Sequence, residues 1–116
     1  MPCRPPSALF AFAALALAAG AASAAEPAPA RQKELTHLLI HDCGSCHGMT
    51  MKGGLGAPLT PASIADLPDE TLIAIILDGI PGKPMPPWRG EISEDEALWL
   101  VRTLRKGPDH ARLPAR

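Results

Sequence analysis

The chain has 116 residues, with 11 Lys and Arg against 12 Asp and Glu, so its formal charge of −1 offers no basic excess for nucleic acid. Two Trp, two Phe and no Tyr leave little aromatic mass for a core, which limits the chain to one small domain.

In chain order, residues 1–24 read as a secretory signal: Arg4 gives a short positive region, residues 8–19 form an apolar run, and Ala22-Ser23-Ala24 is a small-residue cleavage site. The run is too short to span a membrane, and Cys3 ahead of it leaves with the signal. Phe10 and Phe12 leave as well, so Trp88 and Trp99 are the remaining aromatics. Residues 25–30, with Pro27 and Pro29, read as a flexible linker. Leu35, Leu38 and Leu39, spaced by Gln32, Lys33, Glu34 and His37, predict a helix over 31–42 that runs straight into Cys43.

Residues 48–61 carry Gly48, Gly53, Gly54 and Gly56 and predict an irregular loop. Thr60-Pro61 predicts a short capped turn through Asp66. A second helix is expected over 68–78, with Leu72, Ile73, Ile75, Ile76 and Leu77 giving it a well-buried character and Gly79 ending it. Residues 80–90 form a Pro-dense loop. Ser93-Glu94-Asp95-Glu96 is a capping box opening a last helix with Leu98, Trp99, Val101 and Leu104; its early acids and its late Arg102, Arg105 and Lys106 suit the helix dipole. Residues 108–116 are expected to be a loose tail, leaving a domain over 31–107.

Cys43-Gly44-Ser45-Cys46-His47 is the decisive motif. Cys-x-x-Cys-His is the attachment signature of a c-type haem: two thiols add to the vinyl groups and the following His ligates iron. A thioredoxin-like pair calls for a βαβ setting, and no alternating strand runs occur. A zinc site calls for a second ligand pair, and none is present. One covalent haem c uses both cysteines of residues 25–116, so no disulfide framework remains. The haem would also supply the apolar centre that this short chain lacks, so the apo-protein is expected to be largely unfolded. Haem attachment and export together place the protein in the periplasm.

Met is the usual distal ligand of an electron carrier, because its soft thioether favours reduced iron. Met49 and Met51 follow His47 too closely to cross a porphyrin, whereas Met85, between Pro84 and Pro86, sits in a stiffened loop far downstream. The runner-up ligands are His37, His41 and His110, each read as a surface residue, and an open distal position would make the protein a haem gas sensor or an enzyme. The proximal His needs a carbonyl on its other ring nitrogen, and Pro58 is the candidate donor of that carbonyl. No catalytic triad, carboxylate pair or phosphate loop is visible, which favours a carrier over an enzyme. Lys52, Lys83 and Arg89, from the two loops expected beside the haem, could form a basic rim or simply be scattered solvated charges.

Together these residues resemble the class I c-type cytochromes over nearly all of residues 25–116, and DCGSCHGMTMKGGLGAPLTP and DGIPGKPMPPWRG resemble the cytochrome c-55X group of denitrifying bacteria. The resemblance implies an all-α class I cytochrome c fold, three to four short helices around one haem. It implies Cys43 and Cys46 as thioether sites, His47 and Met85 as axial ligands, and Pro58 as the carbonyl partner of His47. Trp99 matches the aromatic with which the last helix meets the first, while Leu35 and Leu39 stand where Gly and an aromatic are common, so that crossing is expected to be looser or shifted. The implied function is single-electron delivery to a cytochrome cd-type nitrite reductase, with a membrane quinol-oxidising complex as the other redox partner, or alternatively a role in d-type haem insertion. A monomer is expected.

Overall fold

A computed structural model describes residues 1–2, 24–107 and 109. Apart from its ends, the expected signal lies outside the described residues, as does the expected tail except Asp109. All regular structure among the described residues is helical. Helix α1 spans Pro29–Leu38, α2 Gly44–His47, α3 Asp69–Asp78 and α4 Glu94–Lys106.

The first helix begins two residues earlier than its periodicity predicts, taking Pro29 and Ala30 from the expected linker. Pro29 stands in the first turn, where its missing N–H costs nothing and its fixed φ suits a helix. Between α1 and α2 the chain stays helical but widens into one π-turn, Leu39–Cys43, in which the Gly44 N–H reaches back five residues to the Leu39 carbonyl.

Leu35, Leu39, Leu72, Leu77, Leu100, Val101 and Leu104 form the centre of the core, joined by Met51, Ile64, Ile92 and Ala97. Each buried Leu contributes about 1.5–3 kcal/mol of transfer free energy. Helix α4 packs against both α3 and α1. Leu35 of α1 and Ala97 of α4 are each 0 % exposed in this core. Trp99 packs half-buried against the same core. Within the polypeptide itself, Leu72 and Leu77 of α3 are buried and Ile73, Ile75 and Ile76 are half-buried.

The predicted stop of α3 and the predicted start of α4 both form. Gly79 ends α3 with φ +69°, and Ser93 caps α4 reciprocally, its hydroxyl accepting from the Glu96 N–H while the Ser93 N–H donates to the Glu96 carboxylate. Thr60 organises the turn over 61–66, accepting from the Ser63 and Ile64 N–H groups through its carbonyl.

Two arginines do more than suit a dipole. Arg31 donates from Nε to Glu96 Oε1 at 2.6 Å, from Nη1 to Glu34 at 2.7 Å and from Nη2 to the Glu91 carbonyl at 3.1 Å, tying α1 to the cap of α4. Arg105, expected only to complement the end of α4, bonds Asp69 at 2.7 Å and the Ile64 and Leu67 carbonyls at 3.1 and 2.6 Å. It therefore fixes the 61–67 turn and the start of α3 against the last helix.

The Arg31 guanidinium holds the Glu96 carboxyl below its usual range, against the opposing effect of desolvation. A depressed carboxyl pKa gives stability that is present above the unfolded-state value and lost as pH falls through the folded-state value. Arg31→Met is thus expected to lower the melting temperature of the haem-loaded protein by a few degrees at pH 7, with the gap closing below about pH 4. Thermal scans across pH 3–7 check this; a gap that stays constant with pH would assign the loss to packing alone.

Candidate haem attachment site

The motif begins at the end of the π-turn. Cys43 is half-buried and packs against the core, Gly44 is buried, and Cys46 is exposed. No disulfide joins the two cysteines. Burial, reinforced by the neighbouring Asp42, pushes the Cys43 thiol up to about 11. A redox dithiol needs the opposite shift, toward a thiolate near neutral pH, so this environment argues against thioredoxin-like chemistry.

His47 closes α2. Its Nδ1–H donates to the Ala57 carbonyl at 2.6 Å, which sets the tautomer and leaves Nε2 with its lone pair free to bind a metal. The acceptor expected from the sequence was the carbonyl of Pro58, and the structure moves it back by one residue. The cause is the close approach of Gly56, where a Cβ would lie 2.9 Å from both Nδ1 and Cε1 of the ring, bringing the next peptide carbonyl into reach. Pro58 instead sets its ring beside Gly53, 3.3 Å from where a Cβ would stand.

The glycine loop folds directly onto the motif backbone. The Gly53 N–H donates to the His47 carbonyl and the Gly56 N–H to the Cys46 carbonyl, each at 2.8 Å. Gly48 makes the reversal with φ +90°, and a Cβ there would meet the Gly53 carbonyl at 2.6 Å. Met51 is 2 % exposed and adopts φ +58°, a left-handed conformation unusual for a non-glycine residue, so its side chain serves the core. Met49 is exposed.

Met85 is half-buried in a loop laced to the end of α3. The Trp88 and Arg89 N–H groups each donate at 3.1 Å, to the Ile76 and Leu77 carbonyls, and the Ile80 N–H approaches the Met85 carbonyl at 3.4 Å. Gly79 sits beneath this loop, where a Cβ would meet the Met85 carbonyl at 2.6 Å. Arg89 grips Asp78 through two bonds at 2.7 and 3.0 Å and draws its carboxyl below the usual range. The basic rim anticipated from Lys52, Lys83 and Arg89 therefore loses Arg89, whose charge is matched locally. His37 and His41 are exposed on the first helical segment, and His110 lies outside the described residues.

Two cysteines not joined to each other, followed at once by an imidazole with its Nδ1 proton engaged and its Nε2 free, fit a covalently attached haem. Among the described residues, no three His, Cys, Asp or Glu side chains converge as an alternative metal-binding group. A small all-helical domain with this site defines a class I c-type cytochrome.

Comparison with known proteins agrees. A family model described as cytochrome C oxidase, cbb3-type, subunit III, matches residues 30–102. Cytochrome c55X of Pseudomonas aeruginosa is 53 % identical over 70 % of this chain and 68 % of its own length, and that of Paracoccus denitrificans 52 % identical over 69 % and 78 %. The solved structure of the c-type cytochrome NirC superposes with a TM-score of 0.68 at 51 % identity, covering 69 % of this chain and 94 % of that one. A dihydro-heme d1 dehydrogenase, NirN, solved in complex with DHE, matches with a TM-score of 0.58 at 29 % identity, over 73 % of this chain but only 16 % of the larger protein. The chain belongs to the cytochrome c55X family of c-type cytochromes. It carries one covalently bound haem c and acts as an electron-transfer protein rather than an enzyme. No helix among the described residues is long and apolar enough to cross a membrane.

Proposed function

We propose that this chain is a periplasmic carrier of single electrons that donates to a cytochrome cd-type nitrite reductase, with Cys43 and Cys46 as thioether sites and His47 and Met85 as the axial ligands. Bound haem c supplies a one-electron iron couple. The protein's part is to hold two strong ligands so that little moves when the charge changes. The observation that carries this reading is the 2.6 Å bond from His47 to the Ala57 carbonyl, which fixes the imidazole in one tautomer and increases its basicity toward a metal. The backbone bonds from Trp88 and Arg89 to α3 hold the Met85 loop in the same way, with Pro84 and Pro86 restricting the chain on either side.

The test is optical and kinetic. The reduced, haem-loaded protein is expected to keep its spectrum under carbon monoxide, to show a Met-to-iron charge-transfer band when oxidised, and to be reoxidised by purified nitrite reductase with nitrite present. Ready carbon monoxide binding without the Met band would replace the carrier with a sensor of open coordination. Closed coordination without reoxidation would remove nitrite reductase as the acceptor.

A second reading draws support from the likeness to part of a dihydro-heme d1 dehydrogenase: the carrier would serve d-type haem maturation rather than turnover. A deletion strain separates the two. Nitrite reductase lacking its d-type haem points to maturation, and an intact enzyme starved of electrons points to donation.

A further inference from the structure

We propose that His37 and His41 form a surface chelate for a single divalent transition-metal ion of the copper or zinc class, separate from the haem ligands. The two histidines are four apart on the first helical segment, with His37 in α1 and His41 in the π-turn. This is the spacing that puts two imidazoles on one helical face, as in helical His-x-x-x-His metal motifs. In this structure the ring centroids are 4.3 Å apart and the planes tilted by 38°. Metal–nitrogen bonds of about 2.0–2.1 Å require two cis nitrogens about 3 Å apart, which neighbouring, inclined rings can reach by small side-chain rotations.

Both residues are exposed, and neither makes a side-chain hydrogen bond to another described residue, so no existing contact has to break. Two neighbouring surface imidazoles serve no packing purpose that the core requires: the buried face of this segment is supplied by Leu35 and Leu39. Imidazole pairs suit Cu(II), Ni(II) and Zn(II), with water completing the coordination. Because His41 stands two residues before Cys43, a bound ion would place positive charge next to the attachment motif, favouring reduced iron.

The test uses haem-loaded protein without a polyhistidine tag, titrated with Cu(II) or Zn(II) and followed by binding heat and, for Cu(II), by nitrogen hyperfine splitting in its electron paramagnetic resonance spectrum. One ion per chain with two nitrogen ligands is expected. Loss of either imidazole should weaken binding by about tenfold or more, since even changes outside the ligand set commonly cost that much. The variants are His37→Ala and His41→Ala, with His37→Gln and His41→Gln where an alanine variant fails to mature, and His110→Ala as the control. An unchanged haem spectrum certifies each fold. Absence of saturable binding, or wild-type affinity in either the His37 or the His41 variant, would overturn the proposal.

Discussion

Exchange of Met85 for Ala is expected to lower the reduction potential on the order of 0.2 V, a sizeable part of the roughly 0.8 V range that axial ligation spans. The charge-transfer band of the oxidised protein should vanish and reduced protein should bind carbon monoxide. The direction follows from the ligand: a thioether is soft and neutral and favours Fe(II), and water or an empty position does not replace that preference. The fold should survive, because the loop is anchored by its backbone. Trp88 and Arg89 remain bonded to α3 and Arg89 remains paired with Asp78 whatever occupies position 85. The other methionines provide the contrast. Met49→Ala should leave the potential unchanged, since Met49 is exposed, while Met51→Ala should cost stability, about 2–5 kcal/mol for a buried Met, and leave the Met band in place. Potentiometry on the three variants decides; an unchanged potential in Met85→Ala would mean that another group binds iron.

Gly56→Ala should have the second-largest effect, and for a reason of geometry. The added methyl would lie 2.9 Å from two atoms of the His47 ring, a distance that requires either the imidazole or the loop to move. Overpacking of this kind costs about 1–3 kcal/mol, and displacement of the loop also stretches the His47–Ala57 bond. The yield of mature haem protein and its melting temperature should both fall. The potential should rise in what survives, because an imidazole released from its carbonyl is less basic and supports Fe(III) less well. Gly90→Ala is the control, since a Cβ there meets nothing within 4 Å; equal losses in both variants would show that close packing on the ring is not the cause.

Much of this site was legible in the chain because chemistry constrains it. Haem attachment requires Cys43, Cys46 and His47 at that spacing, so the residue types themselves announce the role. The capping box at Ser93 and the stop at Gly79 could be read for a similar reason: specific side chains, or the lack of one, satisfy specific backbone needs. Backbone acceptors are different. Every residue has a carbonyl, and nothing in Gly56-Ala57-Pro58 marks which one meets His47 until the approach of Gly56 is seen. The arginine clamps were hidden because charge at a helix end has two uses, and only tertiary contact distinguishes Arg105 bound to three groups from a solvated side chain. The early start at Pro29 was missed because Pro27 and Pro29 together look like a linker.

The widened turn at Leu39–Cys43 also left no mark in the sequence, since its residues suit an ordinary helix equally well. Its consequence is one of phase. In a regular helix each residue advances about 100°, so absorbing one extra residue turns everything beyond it by nearly a third of a revolution. The segment before the fault is indexed to its packing partner through Leu35, while the segment after it is indexed to the cofactor through Cys46 and His47. The two alignments are thereby decoupled. Drift in the helix crossing can be corrected upstream without re-aiming the attachment residues: a single-residue deletion within the fault would restore a regular helix with the attachment motif in the same phase, whereas winding the same residues as an ordinary helix would turn the motif by about 100°.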